Sequence, residues 1–526
     1  MEPWYHLYLH GKTGYIRNLL TFVKARSVNA ILLCAGTGNR FQPASFSCPK
    51  PLTPINGVPI VERTLQLLRA GGVDRITMVV GYRAEDFAYL REKYGVEQVL
   101  NPDYAGRNNY ASLLLVADRL DGSLIIDGDV FFLRDVLPHV KTDRSQFVVQ
   151  PTLHGLEWEV FADKAGKITD VKKWTSTGYS MAGLSYWTGE AAGMLARELC
   201  NCRPDDYWED AVLRLIPGTP IYATYEKEPY LQEMDTIMDA VHYQLLSHEE
   251  VAHLCSIDYQ PVRMKSLTNS TWLVRNHEGQ KCCLRIPGRG TEKYIQRDIE
   301  PQVIDLIKDL HVTPEARFYP GGLKATPYMH AHRIANAEDF GPPFFGALAE
   351  KLRRMHTIRH DDASPLQPMY ITDQILKFEK IFDGLAPRKV EPQQRHWIME
   401  KARAFDNEPQ VLCHRDLAPE NILVKDHLGT DLLLIDFEYA GFTNPLWEIA
   451  SFILESDMNE KSRLEFAAAY GITSTEELTR LLEMEILVDY VWGMWGFISH
   501  YLDYSENKFK RLLRKLYSLG YPCLES

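Results

Sequence analysis

Residues 413–424 read CHRDLAPENILV, and residues 432–439 read LLLIDFEY. Each joins a short apolar, strand-like run to a polar loop. Asp416 and Asn421 fall in the first loop, and Asp436 opens the second. One aspartate to take a hydroxyl proton and two oxygen-bearing side chains to hold Mg²⁺ are what phosphoryl transfer needs. Upstream, SLTNSTWLVRNHEGQKCCLRI at 266–286 reads as a hairpin with its turn at Asn276–Gly279. A helical pattern follows around 299–310, then the apolar ATPYM at 325–329. From Phe344 onward the pattern is mostly helical, broken by VLCHRD and DLLLIDFEY. A small β-rich lobe ahead of a larger helical lobe predicts a two-lobed α+β unit.

The HRDLAPEN core resembles the catalytic loop of protein kinases, but three features argue against a peptide substrate. DFG is replaced by DFE, with Glu438 in the glycine's place. AGFTNPLWEIASF runs on into a helix, with no activation segment or APE. SLTNSTW stands where a G-x-G-x-x-G loop would be, so Asn269 and Ser270 offer small polar groups to phosphates. The basic residue facing ATP is read as Arg285 rather than lysine; Glu300, followed by Pro301, fits either its partner or a helix start. Over roughly 257–520 the chain closely resembles choline kinases, through TNSTWLV, LRIPG, HRDLAPENIL, IDFEYAGFTNP and VWGMWGF. That resemblance implies the protein-kinase-like fold, ATP and Mg²⁺, and a choline pocket of Trp492, Trp495, Tyr501 and Tyr504. Glu438 is expected to add negative charge near the ammonium. A trimethylammonium group suits aromatic faces, although tryptophans at i, i+3 also fit an ordinary helical core.

The chain opens differently. NAILLCAGTGNRF at 29–41 is an apolar run ending in glycine. RITMVVGY at 75–82 and SLIIDGDVFF at 123–132 are further strand-like runs, with helical patterns between them, one from about Val58 to Arg69. Strand–helix alternation predicts an α/β, Rossmann-like domain with a mixed, mostly parallel sheet. Ligands then bind at the carboxyl ends of strands, where the loops at 36–50 and 127–130 lie. In LCAGTGNRFQPASFSCPKP, Ala35, Gly36 and Gly38 form a nucleotide loop whose glycines let backbone N–H groups approach phosphates. Arg40 and Lys50 supply positive charge, and Asp129 and Asp235 are candidate Mg²⁺ ligands. These residues resemble the nucleotidyltransferases that couple NTP to phosphorylated sugars or alcohols. NPDYAGRNNYASL at 101–113 and YWED at 207–210 resemble most the bacterial phosphocholine cytidylyltransferases. The resemblance implies that Lys50 and the loop hold CTP, that Asp129 and Asp235 hold Mg²⁺, and that pyrophosphate leaves. Trp158, Tyr207, Trp208 and Glu233 are candidates for a cage around a quaternary ammonium, or for core aromatics.

Composition sets the outer limits. The 526 residues are 45% apolar and 24% charged, with net charge −12. An acidic chain repels phosphate backbones, which disfavours nucleic acid as a partner. No apolar run is long enough to span a membrane, and residues 1–28 lack a signal-peptide core. Nine scattered cysteines fit reduced thiols in a cytoplasmic protein. HEEVAH at 248–253 spaces its histidines five apart, wrong for zinc on one helix face. The expected organisation is an appendage at 1–28, a nucleotidyltransferase domain at 29–244 and a choline-kinase-like domain at 257–526. The expected chemistry is ATP-dependent phosphorylation of choline, then CTP-dependent conversion of phosphocholine to CDP-choline. The competing reading is a sugar-1-phosphate nucleotidyltransferase fused to a sugar or aminoglycoside kinase.

Overall fold

A computed structural model describes residues 28–152, 157–361, 364, 366–382 and 389–521. Apart from Val28, the expected appendage lies outside the described residues. The chain forms two compact units. One runs through Met264 and takes in Trp272–Gln280 and Tyr319–Gly321. The other comprises Lys265–Thr271, Lys281–Phe318 and the chain from Gly322 onward.

The strand Asn29–Cys34 is the centre of the first unit. Its apolar run is continuous because both faces are buried, as parallel strands require. Ala30, Leu32 and Cys34 enter one hydrophobic cluster, while Ile31, Leu33 and Ala35 enter another. That split is the two-residue period of a strand. Asn29–Cys34 pairs in parallel with Arg75–Val80 on one side and Ser123–Asp127 on the other. Arg75–Val80 pairs in parallel with Glu97–Leu100. Tyr179–Trp187 then extends the sheet antiparallel to Ser123–Asp127. Glu157–Ala162 and Ile168–Thr175 continue it outward. The parallel half was legible from sequence, but this antiparallel extension was not.

The run 123–132, expected as one strand, divides at Gly128–Asp129. Gly128 N–H donates to Leu33 O at 2.9 Å, which turns the chain out of the sheet. The second piece, Val130–Phe132, pairs antiparallel with Leu231–Glu233, with Val130 opposite Glu233. This break carries Asp129 to the sheet's carboxyl edge and brings Glu233 and Asp235 to the same place. The helix expected from Val58 begins two residues later, at Ile60–Ala70, after a short hairpin at Pro54–Pro59. HEEVAH forms a helix, His248–Leu254, whose start is closed by reciprocal Ser247–Glu250 hydrogen bonds.

In the second unit, Lys281–Ile286 pairs antiparallel with Leu323–Pro327, which sets Arg285 opposite Lys324. The helix Ile299–Ile307 presents Glu300 in its first turn. Ile422–Val424 pairs with Leu432–Leu434, and Val411–Cys413 with Gly441–Thr443. These short ladders hold the two polar loops read from the sequence. Long helices, among them Thr475–Ile498 and Leu502–Ser518, pack around them. No helix of the described residues is long and apolar enough to cross a membrane.

A Cβ at Gly128 would lie 2.6 Å from Leu33 O and 2.7 Å from Cys34 Sγ. Gly128→Ala should therefore destabilise the first unit by about 1–3 kcal/mol through overpacking. Chemical denaturation followed by tryptophan fluorescence checks this. A transition unchanged from wild type contradicts the close approach.

Candidate active sites

In the first unit a cavity of about 440 Å³ opens at the carboxyl edge of the parallel strands. Ala35, Gly36, Gly38, Arg40, Lys50, Asp129, Trp158, Tyr207, Trp208, Glu233 and Asp235 all line it. Gly38 takes a left-handed φ of 64°, and a Cβ there would press on Lys50 and Ser45 at 3.3 Å. Gly36 is not demanded by sterics, since a Cβ there meets nothing. Lys50 is buried and its Nζ lies 2.6 Å from Asp129 Oδ2. Arg40 lies 2.7 Å from Asp235 Oδ1 and is well exposed. Each cation named for the phosphates is thus paired with one of the carboxylates named for metal.

The aromatic residues divide. Tyr207 meets Trp158 edge-on at 6.0 Å, and Trp174, not singled out from sequence, meets Trp158 at 6.3 Å. Lys173 lies 4.3 Å from the Trp158 ring centroid and is ion-paired with Asp210. Trp208 is 2% exposed, stacked on Phe147 at 5.7 Å and set against Trp187. It is part of the core and forms the cavity floor rather than a free cage wall. Sequence reasoning also missed Asp127, Glu157 and Glu209, which line the cavity. Burial and the Asp235 charge push Glu157 up to about 7. Burial pushes Glu209 up to about 8, against its Asn109 hydrogen bond. Burial and neighbouring carboxylates raise Asp127 and Glu233 as well.

The second unit gathers its polar loops around Asp436. Arg285 Nη1 lies 2.5 Å from Asp436 Oδ1 and 3.3 Å from Glu300 Oε1. Lys324 Nζ also reaches Glu300 Oε1, at 2.5 Å, and lies 3.9 Å from Asp436. Burial works to raise the Asp436 carboxyl, but Arg285 and Lys324 hold it below the ordinary range. Lys324 escaped the sequence reading because strand register, not spacing, sets it beside Arg285. Asn421 Nδ2 donates to Asp416 O at 2.8 Å and lies 3.3 Å from Asp416 Oδ2. His414 Nε2 contacts Ile435 O at 2.7 Å, joining the two loops. Arg415 and Asp436 both take a left-handed φ of 67°, a conformation that non-glycine residues hold only when their surroundings impose it. Burial, then the charges of Glu455, Asp436 and Glu438, push the Asp416 carboxyl well up.

Glu438 is held by more partners than the sequence suggested. It is buried, 2.5 Å from Arg297 Nη1 and 3.4 Å from Arg285 Nη1. Asn269 Nδ2 donates to it at 2.8 Å, and Arg297 Nη2 donates to Asn269 Oδ1 at 2.9 Å. It anchors the 266–270 loop, and its charge also acts on Tyr439 and Tyr294. Ser270 is buried at the start of its strand.

The wall itself is assembled. Trp495 meets Trp492 edge-on at 5.6 Å, stacks on Tyr501 at 5.7 Å and meets Tyr504 at 6.0 Å. Tyr439 and Tyr294, which the sequence reading passed over, join it at 5.2 Å from Trp492 and 6.2 Å from Trp495. The missed carboxylate is Glu455, which accepts the Tyr504 hydroxyl at 3.0 Å and pairs with Lys508. Lys508 lies 4.8 Å from the Tyr504 ring centroid. Burial, Glu455 and Asp416 together raise the Tyr504 hydroxyl well above the ordinary tyrosine range.

The model of the MobA-like NTP transferase domain matches residues 30–159, and that of the phosphotransferase enzyme family matches 260–483. A choline-phosphate cytidylyltransferase of Streptococcus pneumoniae is 30% identical over 217 residues, 40% of this chain and 95% of that protein. The chain belongs to the cytidylyltransferase family. A 2-aminoethylphosphonate cytidylyltransferase of Lancefieldella rimae is 31% identical, over 41% of this chain and 91% of that protein. Among solved structures, a choline kinase of Streptococcus pneumoniae is similar at 24% identity and a TM-score of 0.44, over 51% of this chain and 97% of that one. The protein is thus an enzyme carrying a nucleotidyltransferase domain and a phosphotransferase domain on one chain.

The two sites should separate by mutation. Lys50→Ala removes a cation from the first cavity and should lower nucleotidyl transfer by two to three decades, about 2.7–4 kcal/mol. Phosphoryl transfer from ATP should persist. Asp416→Ala should do the reverse. Loss of both activities in either folded variant, read by separate steady-state assays, contradicts two independent sites.

Proposed function

We propose that the chain makes CDP-choline in two steps. The carboxyl-terminal domain, set at 257–526, phosphorylates choline with ATP. The amino-terminal domain, set at 29–244, joins phosphocholine to CTP and releases pyrophosphate. Chain order therefore runs opposite to reaction order. The observation that supports this reading is that aromatic rings and carboxylates line one cavity with Asp129 and Asp235 in the first unit, and that a second aromatic cluster forms around Trp495 and Glu455 in the second. A trimethylammonium group has no N–H to donate, so indole and phenol faces suit it better than hydrogen-bonding side chains. A sugar pocket has the opposite requirement, which weighs against the competing reading.

The donors in both sites are hard oxygens, the set that Mg²⁺ prefers. Asp129 and Asp235 would hold it in the first site, and Asn421 and Asp436 in the second. The ionised state that Arg285 and Lys324 impose on Asp436 suits that role. Bound there, Mg²⁺ supplies charge neutralisation for the phosphates. The chain's own residues do the rest. Lys50 and Arg40 meet the CTP phosphates, and the glycine loop gives them room. Arg285 and Lys324 meet the ATP phosphates, with Asn269 holding the loop above them. Asp416 takes the choline hydroxyl proton as that oxygen attacks the γ-phosphate. In the first site a phosphocholine oxygen attacks the α-phosphate of CTP, which needs alignment more than a strong base.

The direct test is purified protein with choline, ATP, CTP and Mg²⁺, with products separated. Ethanolamine, phosphoethanolamine and 2-aminoethylphosphonate serve as comparison substrates. CDP-choline formed from choline supports the reading, and its absence with all substrates present overturns it.

Trp495→Leu keeps an apolar wall but removes the indole face. It should raise the choline KM several-fold to about thirtyfold, with the ATP KM nearly unchanged. An unchanged choline KM in a folded variant would return Trp495 to the ordinary core.

Glu157 and Glu209, raised to about 7 and about 8, are protonated on the acid side of those values. A cationic substrate favours their ionised forms. The phosphocholine KM should therefore fall as pH rises from about 6 to about 9, and Glu209→Gln should flatten that slope. A KM independent of pH in the wild type contradicts the assignment.

A further inference from the structure

The nucleotide loop of the first unit is held from two sides, and one of them is built from residues beyond 244. From within, the Tyr82 hydroxyl donates to Ser45 O at 3.1 Å and Arg83 Nη1 donates to Phe46 O at 2.9 Å. From the other side, the Ser47 hydroxyl, 3.0 Å from Ala44 O, donates to Leu254 O at 2.8 Å. The His277 ring stacks on Phe46, with 3.9 Å between centroids and 29° between planes. Leu254 ends the helix His248–Leu254, the HEEVAH stretch. The last carbonyls of a helix have no partner within it, which leaves Leu254 O to the loop. His277 stands in a turn closed by Asn276, whose Oδ1 accepts the Glu278 N–H at 3.1 Å and the Gln280 N–H at 2.8 Å. Asn276 N–H donates to Gln280 O at 2.9 Å, and Gly279 completes the turn with a φ of 81°. The two holding points are tied together. Ile257 N–H donates to Arg275 O at 2.9 Å, and Arg275 N–H donates to Ser256 Oγ at 3.2 Å. All of these residues fall inside the first unit.

We propose that Leu254 and His277 brace the nucleotide loop, and that His277 is a positioning residue for nucleotidyl transfer although it lies outside the nucleotidyltransferase region of the sequence. The stretch they hold packs directly on the residues that face the phosphates. Ser45 is buried, and a Cβ at Gly38 would meet the Cβ atoms of both Ser45 and Lys50 at 3.3 Å. Residues 45–47 therefore rest on the left-handed Gly38 and lead on to Lys50. Phe46 is only partly buried, and the His277 ring covers one of its faces. A stacked ring pair fixes both distance and tilt, which an aliphatic contact does not. Positioning matters here because small misplacements of groups that align a substrate cost rate steeply. The closed turn at Asn276 and its tie to Ile257 make the brace stiff, since His277 is presented by backbone hydrogen bonds rather than by a free loop.

The inference rests on cytidylyl transfer to phosphocholine for its kinetic arm but not for its structural one. The full chain is used, as wild type, His277→Ala, His277→Phe and Ser47→Ala. His277→Ala should raise the CTP KM about three- to tenfold, the effect of losing one stacked ring pair, with the phosphocholine KM within about twofold of wild type. Hydrogen exchange across 44–48 should quicken. His277→Phe keeps a stacking ring and should bring both readouts back near wild type. Ser47→Ala should show the same pattern as His277→Ala more weakly, and it decides the matter if His277→Ala does not fold. Phosphoryl transfer from ATP should keep its kcat and KM throughout, which a general loss of stability would not allow. Unchanged CTP KM and exchange in the folded variants would overturn the brace. So would a His277→Phe variant as impaired as His277→Ala. If the wild type makes no CDP-choline from phosphocholine and CTP, the substrate assignment fails, and exchange at 44–48 still decides the brace.

Discussion

Carboxylates gathered in one place need cations beside them. Both sites of this chain meet that constraint by pairing. Lys50 sits on Asp129, Arg40 on Asp235, and Arg285 with Lys324 on Asp436. Removing charge from water costs several kcal/mol per ion unless a partner compensates. The surrounding architecture is arranged to supply the partners. The sheet break at Gly128 delivers Asp129 to Lys50, and the register of Lys281–Ile286 against Leu323–Pro327 sets two cations side by side. In the proposed function the same cations have a second role, toward the nucleotide phosphates.

What was legible in the sequence follows from range. HRDLAPEN, DFEY and the loop after Cys34 are local signals, in which polar residues stand at the ends of apolar runs. They placed Asp416, Asn421, Asp436, Lys50 and Asp129 in the right loops. Contacts that depend on pairing across the fold were not legible. Lys324 is identified by strand register alone, and Glu455 by the packing of Tyr504 on the end of another helix. The ties of Glu438 to Arg297 and Asn269 are likewise contacts across the fold. Trp208 carried the right chemistry for a cage but was needed in the core. A mixed sheet was expected, but Glu157–Ala162 and Ile168–Thr175 were not located as strands, because both are partly exposed and show no continuous apolar run.

The two units gather aromatic rings on unrelated frameworks. In the first, rings come from a strand-borne hairpin and the start of a short helix, around Trp158, Trp174 and Tyr207. In the second they come mainly from the end of a long helix and the helix after it. Neither framework dictates aromatic residues there, since fold alone does not determine ligand. The likeness lies in what a bulky, weakly hydrated cation requires.

Both aromatic sites also contain a lysine of their own. Lys173 stands over Trp158 and holds Asp210, and Lys508 stands over Tyr504 and holds Glu455. Each is a resident counter-ion. Each carboxylate keeps a cation of the chain beside it, so its charge is compensated within the protein itself.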